Sequence, residues 1–117
     1  MSTAYDRARL VELFGDDFRT LADVEREFLK TARAAEREII GTDDLAAIAR
    51  VAHCLKGASG MIGAVALCRV ADKVERAANA ADRPSLRRLH GVLSKEVRRV
   101  AEQAESVVTT VPVSSRA

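Results

Sequence analysis

The chain has 117 residues and a nearly balanced charge, 19 Lys and Arg against 17 Asp and Glu for a net +2, so it fits one domain with one core and makes a weak case for nucleic acid. Hydrophobic residues make up 48% of it, yet aromatics only 3% and Trp is absent, which points to a core of Leu, Val, Ile and Ala such as a helical bundle builds. No basic run interleaved with aromatics, no apolar run long enough for a bilayer and no signal-type N-terminal stretch occurs. The expectations are therefore no nucleic-acid partner, no membrane association and a cytoplasmic protein.

Gly, Asp and Pro divide the rest. A short helix is expected from about Tyr5 to Phe14, stopped by Gly15. Asp16 or Asp17 opens a long helix to about Ile40, in which Phe18, Leu21, Val24, Phe28, Leu29, Ala32, Ala35 and Ile39 recur at helical spacing before Gly41 ends it. Thr42 is the candidate N-cap of a third helix, with Asp43 and Asp44 in its first turn, where the helix dipole favours acids. That helix runs to about Met61. Gly63 separates it from a fourth, about Ala64 to Ala80, carrying Leu67, Val70, Ala71, Val74 and Ala78.

Asp82 with Pro84 restarts a last helix whose apolar stripe is Leu86, Leu89, Leu93, Val97, Val100, Ala104 and Val107. Residues 109–117 have no periodicity and are expected to form a disordered tail to a 1–108 bundle. Met1 and the loose tail favour a free-standing protein, and a piece of a larger hybrid kinase stays open as the other expectation. Four long amphipathic helices joined by short loops predict an all-α fold, an antiparallel up-down-up-down four-helix bundle with the short first helix capping one end. Cys54 and Cys68 lack zinc-type spacing and are expected as free thiols, Cys54 as a small packing residue.

The third helix carries the chemistry. On a helical wheel centred on Leu55, residues Ile48, Val51, Ala52, Ser59 and Ile62 fall within about 60°, a continuous apolar stripe, whereas His53 lies at about 160°. His53 is thus expected to face outward. Gly57 and Gly60 lie within about 40° of it, and Ala46 and Ala49 share its side. Two interior glycines cost a helix roughly 1 kcal/mol each against alanine. One account of them is close packing of a neighbouring helix. Their place beside His53 favours another, that they clear room for a partner's surface.

A free imidazole, with a pKa of about 6.5, is largely neutral near pH 7 and offers one ring nitrogen as a nucleophile toward phosphorus. Lys56, one turn along on the same face, can offset charge on phosphoryl oxygens. The run Ala52-His53-Cys54-Leu55-Lys56-Gly57-Ala58-Ser59-Gly60-Met61-Ile62-Gly63 resembles the histidine-containing phosphotransfer (HPt) domains, whose motif is roughly His-x-Leu-Lys-Gly-small-small-x-x-apolar-Gly. The resemblance spans most of residues 6 to 108, including Leu13 to Asp17 and Phe28-Leu29, although its specific part is the dozen residues around His53.

The resemblance implies a phosphorelay intermediate. His53 would take a phosphoryl group from the aspartyl phosphate of a response-regulator receiver domain and pass it to another regulator. The Mg²⁺ needed would come from the receiver, and this chain would bind no cofactor. A hybrid sensor histidine kinase would be the upstream partner, or the chain a module of one. In the family a Gln or Glu on the next helix often neighbours the histidine, a place that Glu75 matches, so the resemblance gives Glu75 the orientation of His53.

Absences complete the expectation. No phosphate-binding Gly-rich loop of P-loop or kinase type is present, and Cys54 stands where sensor-kinase dimerisation domains usually carry an acid after their histidine. Autokinase activity is therefore not expected. A metal site on His53 and Cys54 fails because neighbouring helical residues point about 100° apart. Ala49, Arg50, Gly57 and Gly60 are the expected docking surface, and a monomer is expected. His90 is expected to be a half-buried structural histidine. Arg83, Arg87, Arg88, Arg98 and Arg99 are expected to form a solvated face. The competing functional classes are a helical adaptor that binds a signalling partner without phosphoryl transfer and, more remotely, a nucleic-acid-binding bundle.

Overall fold

A computed structural model describes residues 3–109, with side chains described to residue 106. It contains five helices: α1 (Arg7–Phe14), α2 (Phe18–Gly41), α3 (Leu45–Met61), α4 (Val65–Asn79) and α5 (Arg83–Thr109). The tail expected after Val108 lies, from residue 110 on, outside the described residues.

Each helix begins where an acidic side chain can satisfy otherwise orphaned N–H groups. Asp6 accepts from Arg9 N, Asp17 from Thr20 N, Asp44 from Ala46 N and Ala47 N, and Asp82 from Ser85 N. The exception is α4, which starts without a side-chain cap. Two expected boundaries shift as a result. Helix α1 starts at Arg7 rather than Tyr5, because Asp6 takes the cap and Tyr5 turns into the core at 2% exposure. The cap of α3 is Asp44 rather than Thr42, whose hydroxyl instead accepts from Asp44 N.

Helices α3 and α4 end in the same way. At the end of α3, Ala64 N donates to Ser59 O and Gly63 N to Gly60 O, with Gly63 left-handed at φ +74. At the end of α4, Asp82 N donates to Ala77 O and Ala81 N to Ala78 O, with Ala81 left-handed at φ +53. Both are Schellman terminations.

Around the core the helices form a closed ring in which α2 touches α3 and α5, and α4 touches α3 and α5, while α1 packs on α2 alone; α3 against α4 is the most extensive of these contacts. The expected stripes supply the core, among them Leu21, Phe28, Ile39, Ile48, Leu55, Leu67, Val74, Leu93 and Val100. Two expectations fail on α2. Phe18 is exposed, since it opens the helix with only the short α1 beside it, and Val24 is half-buried while Glu25, next in sequence, is buried.

The burial of Glu25 is explained by Tyr5, whose hydroxyl donates to Oε2 of Glu25, and by Arg7 3.8 Å from its other oxygen. Gln103 clasps the same strand of chain, accepting from Ala4 N at 2.7 Å and donating to Tyr5 O at 3.0 Å. Asp6 N then donates to Ile62 O. The N-terminal segment thus pins the end of α5 to the turn between α3 and α4.

Candidate functional site

His53 projects from α3 with its side chain 68% exposed, while its neighbours on the stripe, Ala52 and Leu55, are buried. The expected outward presentation is what the structure has. Nδ1 of His53 stands 2.9 Å from Oε2 of Glu75, one helix away on α4. A carboxylate only accepts, so Nδ1 carries the proton and Nε2 the lone pair. No hydrogen bond engages Nε2 among the described residues.

Lys56 completes the arrangement. Its Nζ donates to Oε1 of Glu75 at 2.7 Å and to Oδ1 of Asp72 at 3.4 Å, and Asp72 in turn holds Arg76 at 3.0 Å. The hydrogen bond from Lys56, and after it the one from His53, holds the Glu75 carboxyl below the usual range; the bond to Glu75 raises the Lys56 ammonium above its ordinary value. Both oxygens of Glu75 are therefore committed, one to each neighbour, which fixes the face it turns to the imidazole. Glu75 reaches this place because it lies i,i+4 from Ala71, whose side chain is fully buried, so the helix face toward α3 is set by the core beneath it.

Asp72 is the residue that reading the sequence missed. It sits i,i+3 from Glu75 and so shares its face, and that spacing was a usable signal. What hid it was the lack of any sign of which α3 side chain would arrive opposite.

The small residues near His53 divide. Gly57 faces open space, with nothing within 4 Å of the position a Cβ would take. Gly60 is exposed but looks toward Cys68 of α4, whose Sγ would lie 3.7 Å from such a Cβ. Ala49 is half-buried and packed on the core, whereas Arg50 is exposed and shares a groove between α2 and α3 with Cys54. Cys54 is exposed, not the packing residue expected. It stands about 100° from both His53 and Leu55 on the wheel, which leaves it short of the core face, on the side turned to α2. Cys68 is half-buried, its thiol directed at Lys56 O.

His90 is half-buried with Nε2 enclosed and unpartnered. Of the five arginines expected on a solvated face, Arg83, Arg87, Arg88 and Arg98 are exposed, while Arg99 lies half-buried against Glu96. Among the described residues, no cluster of His, Cys, Asp and Glu is arranged to hold a metal ion, and no helix is long and apolar enough to cross a membrane.

No curated protein and no solved structure matches the chain. A family model does: the Hpt domain, over residues 9–106. Domains of this family are phosphotransfer modules of two-component phosphorelays, generally without kinase activity, and typically interact with response-regulator receiver domains. The all-helical fold and the match along most of its length agree: this chain belongs to the Hpt domain family.

Proposed function

We propose that His53 is the phosphoacceptor of a phosphorelay, taking a phosphoryl group from the aspartyl phosphate of one receiver domain and yielding it to another. The observation that carries this reading is an imidazole 68% exposed, with Nδ1 held by Glu75 and Nε2 unengaged. Nε2 attacks phosphorus in line. The N–P bond forms as the P–O bond to the aspartate breaks, and the aspartate leaves as carboxylate. Nδ1 keeps its proton throughout, so the positive charge that develops on the ring faces the carboxylate of Glu75, which is a positioning residue.

Lys56 stands one turn away, where exchanging its contact with Asp72 for phosphoryl oxygens would offset their charge. The Mg²⁺ that neutralises the receiver's aspartate and phosphoryl oxygens belongs to the receiver, and this chain brings no cofactor. A hybrid sensor kinase is the proposed source of phosphoryl groups. Ala49, Arg50, the open face of Gly57 and the exposed backbone at Gly60 are the proposed contact surface for the receiver, with the chain acting as a cytoplasmic monomer. The opposed numbering of contacts along α3 and α4, 53 with 75 and 56 with 72, supports the up-down-up-down antiparallel arrangement.

The test is transfer of labelled phosphate, with Mg²⁺, from a panel of phosphorylated receivers to wild type and to His53→Gln. Acid-labile, alkali-stable label on wild type alone is the expected result. Equal label on the variant would remove His53 from the mechanism, and no label on folded wild type from any receiver would favour the adaptor.

A further inference from the structure

The seam between α4 and α5, on a face of α4 other than the one Glu75 turns to α3, holds a groove of about 420 Å³. Its floor is apolar, made by Ala77 of α4, by Ala80 just beyond that helix and by Leu89 and Val92 of α5; Val92 is 45% exposed. Its rim is cationic. Lys73 and Arg76 stand on one side and Arg88 on the other. Arg69 continues the α4 rim, since positions 69, 73 and 76 follow i,i+4,i+7 along one helix stripe.

The charge on this rim is only partly compensated. Neither Arg69 nor Lys73 has an acidic partner among the described residues, while Arg88 donates to the hydroxyl of Ser85 and stands near enough to Asp82 to help hold that carboxyl low. Arg76 contacts Asp72 through one nitrogen and leaves its side chain 79% exposed. The acid of the groove, Asp82, is committed to Ser85 N and Oγ.

We infer that this groove docks an acidic amphipathic helix of a partner protein. A trough between two packed helices, with an apolar floor along both, takes a third helix by ridges-into-grooves packing. An apolar stripe on that helix would cover Val92 and Leu89, and acids flanking the stripe would meet Lys73, Arg76 and Arg88. Nucleic acid is the weaker occupant, because no aromatic side chain lines the groove for bases to stack on. The surface is separate from the His53 pair and would add affinity or selectivity without touching the reacting nitrogen.

The experiment titrates the ¹⁵N-labelled full chain with a synthetic helical peptide of roughly four turns, Leu and Ala on one face and Glu on its flanks. A control peptide carries Lys in place of Glu, and a single-stranded oligonucleotide forms a third arm. Shifts confined to the amides around Lys73, Ala77, Leu89 and Val92 are expected with the acidic peptide alone. The double variant Lys73→Glu, Arg88→Glu is expected to weaken binding by at least about tenfold. Both side chains are exposed, and an unchanged helical circular dichroism spectrum verifies its fold.

Equal binding of the Lys peptide, shifts centred elsewhere, or no shifts at all would overturn the inference. Tighter binding of the oligonucleotide at the same residues would overturn it in favour of a nucleic-acid surface.

Discussion

The buried pair of Tyr5 and Glu25 gives a prediction that a single chromophore can read. Tyr5 is 2% exposed, and burial first, then the hydrogen bond to Glu25, pushes its phenol far above the ordinary value near 10. Above pH 10 the unfolded chain loses this proton while the folded chain keeps it, so stability falls as pH rises. For one such group the loss is about 1.4 kcal/mol at pH 11. Replacing Tyr5 by Phe leaves the carboxylate of Glu25 buried without its phenol partner, which costs about 1–3 kcal/mol near neutral pH.

The stability gap between wild type and Tyr5→Phe should therefore be widest near pH 8 and shrink by about 1.4 kcal/mol at pH 11. Raised Lys56 also favours unfolding at high pH, but equally in both proteins, and it cancels in the difference. Because the chain has one Tyr and no Trp, phenolate absorbance reports Tyr5 alone, while urea unfolding followed by far-ultraviolet circular dichroism gives the gap. Phenolate appearing with a midpoint near 10 while the helices stay intact would refute the reasoning, as would a gap that ignores pH.

Glu75→Gln should slow phosphoryl transfer about 10- to 100-fold, the usual scale for a group that orients another, and imidazole ¹⁵N shifts should show His53 moving away from the Nδ1-protonated tautomer. Since its carboxyl is held low by Lys56 and then His53, the stability Glu75 contributes is complete above the ordinary glutamate pKa of about 4.3 and lost only as pH falls through its depressed value; an acid titration of the Glu75 side-chain carboxyl ¹³C shift checks this. Gly63→Ala should destabilise by about 2–4 kcal/mol in urea melts: the left-handed φ contributes about 1, and a Cβ would lie 2.7 Å from that of Asp6, so overpacking adds the rest. Ala81 holds an equivalent left-handed place without such a neighbour, so a loss near 1 kcal/mol would mean that Asp6 simply moves aside. A thiol reagent should modify Cys54 well before Cys68, given their exposures; simultaneous reaction, read by mass spectrometry of digested protein, would contradict the placement.

Periodicity alone determined much of this protein. A stripe of Leu, Val, Ile and Ala at helical spacing can be buried on one face only, so the helices, their core faces and the outward direction of His53 all followed from order along the chain. Caps were less legible, because Thr42 and Asp44 are both good cap residues and the choice depends on which backbone N–H groups the chain's path leaves within reach.

The site was legible as a histidine and a lysine on one face, because that is a property of a single helix. Its other half was not, apart from what family resemblance supplied at Glu75. Whether a carboxylate of α4 meets Nδ1 depends on the relative rotation of two helices, which is set by Ala71, Val74 and Leu55 packing beneath them. Likewise Tyr5, Glu25 and Gln103 are far apart in sequence, and a glutamate among apolar residues reads as a flaw in the stripe until its phenol partner is seen. Cys54 shows the converse: a small residue on an apolar helix is buried only if another helix arrives on its side, and none closes over it. Contacts within one helix repeat every turn and can be read from the sequence, whereas contacts between helices depend on how their cores lock together, and only the tertiary structure decides that.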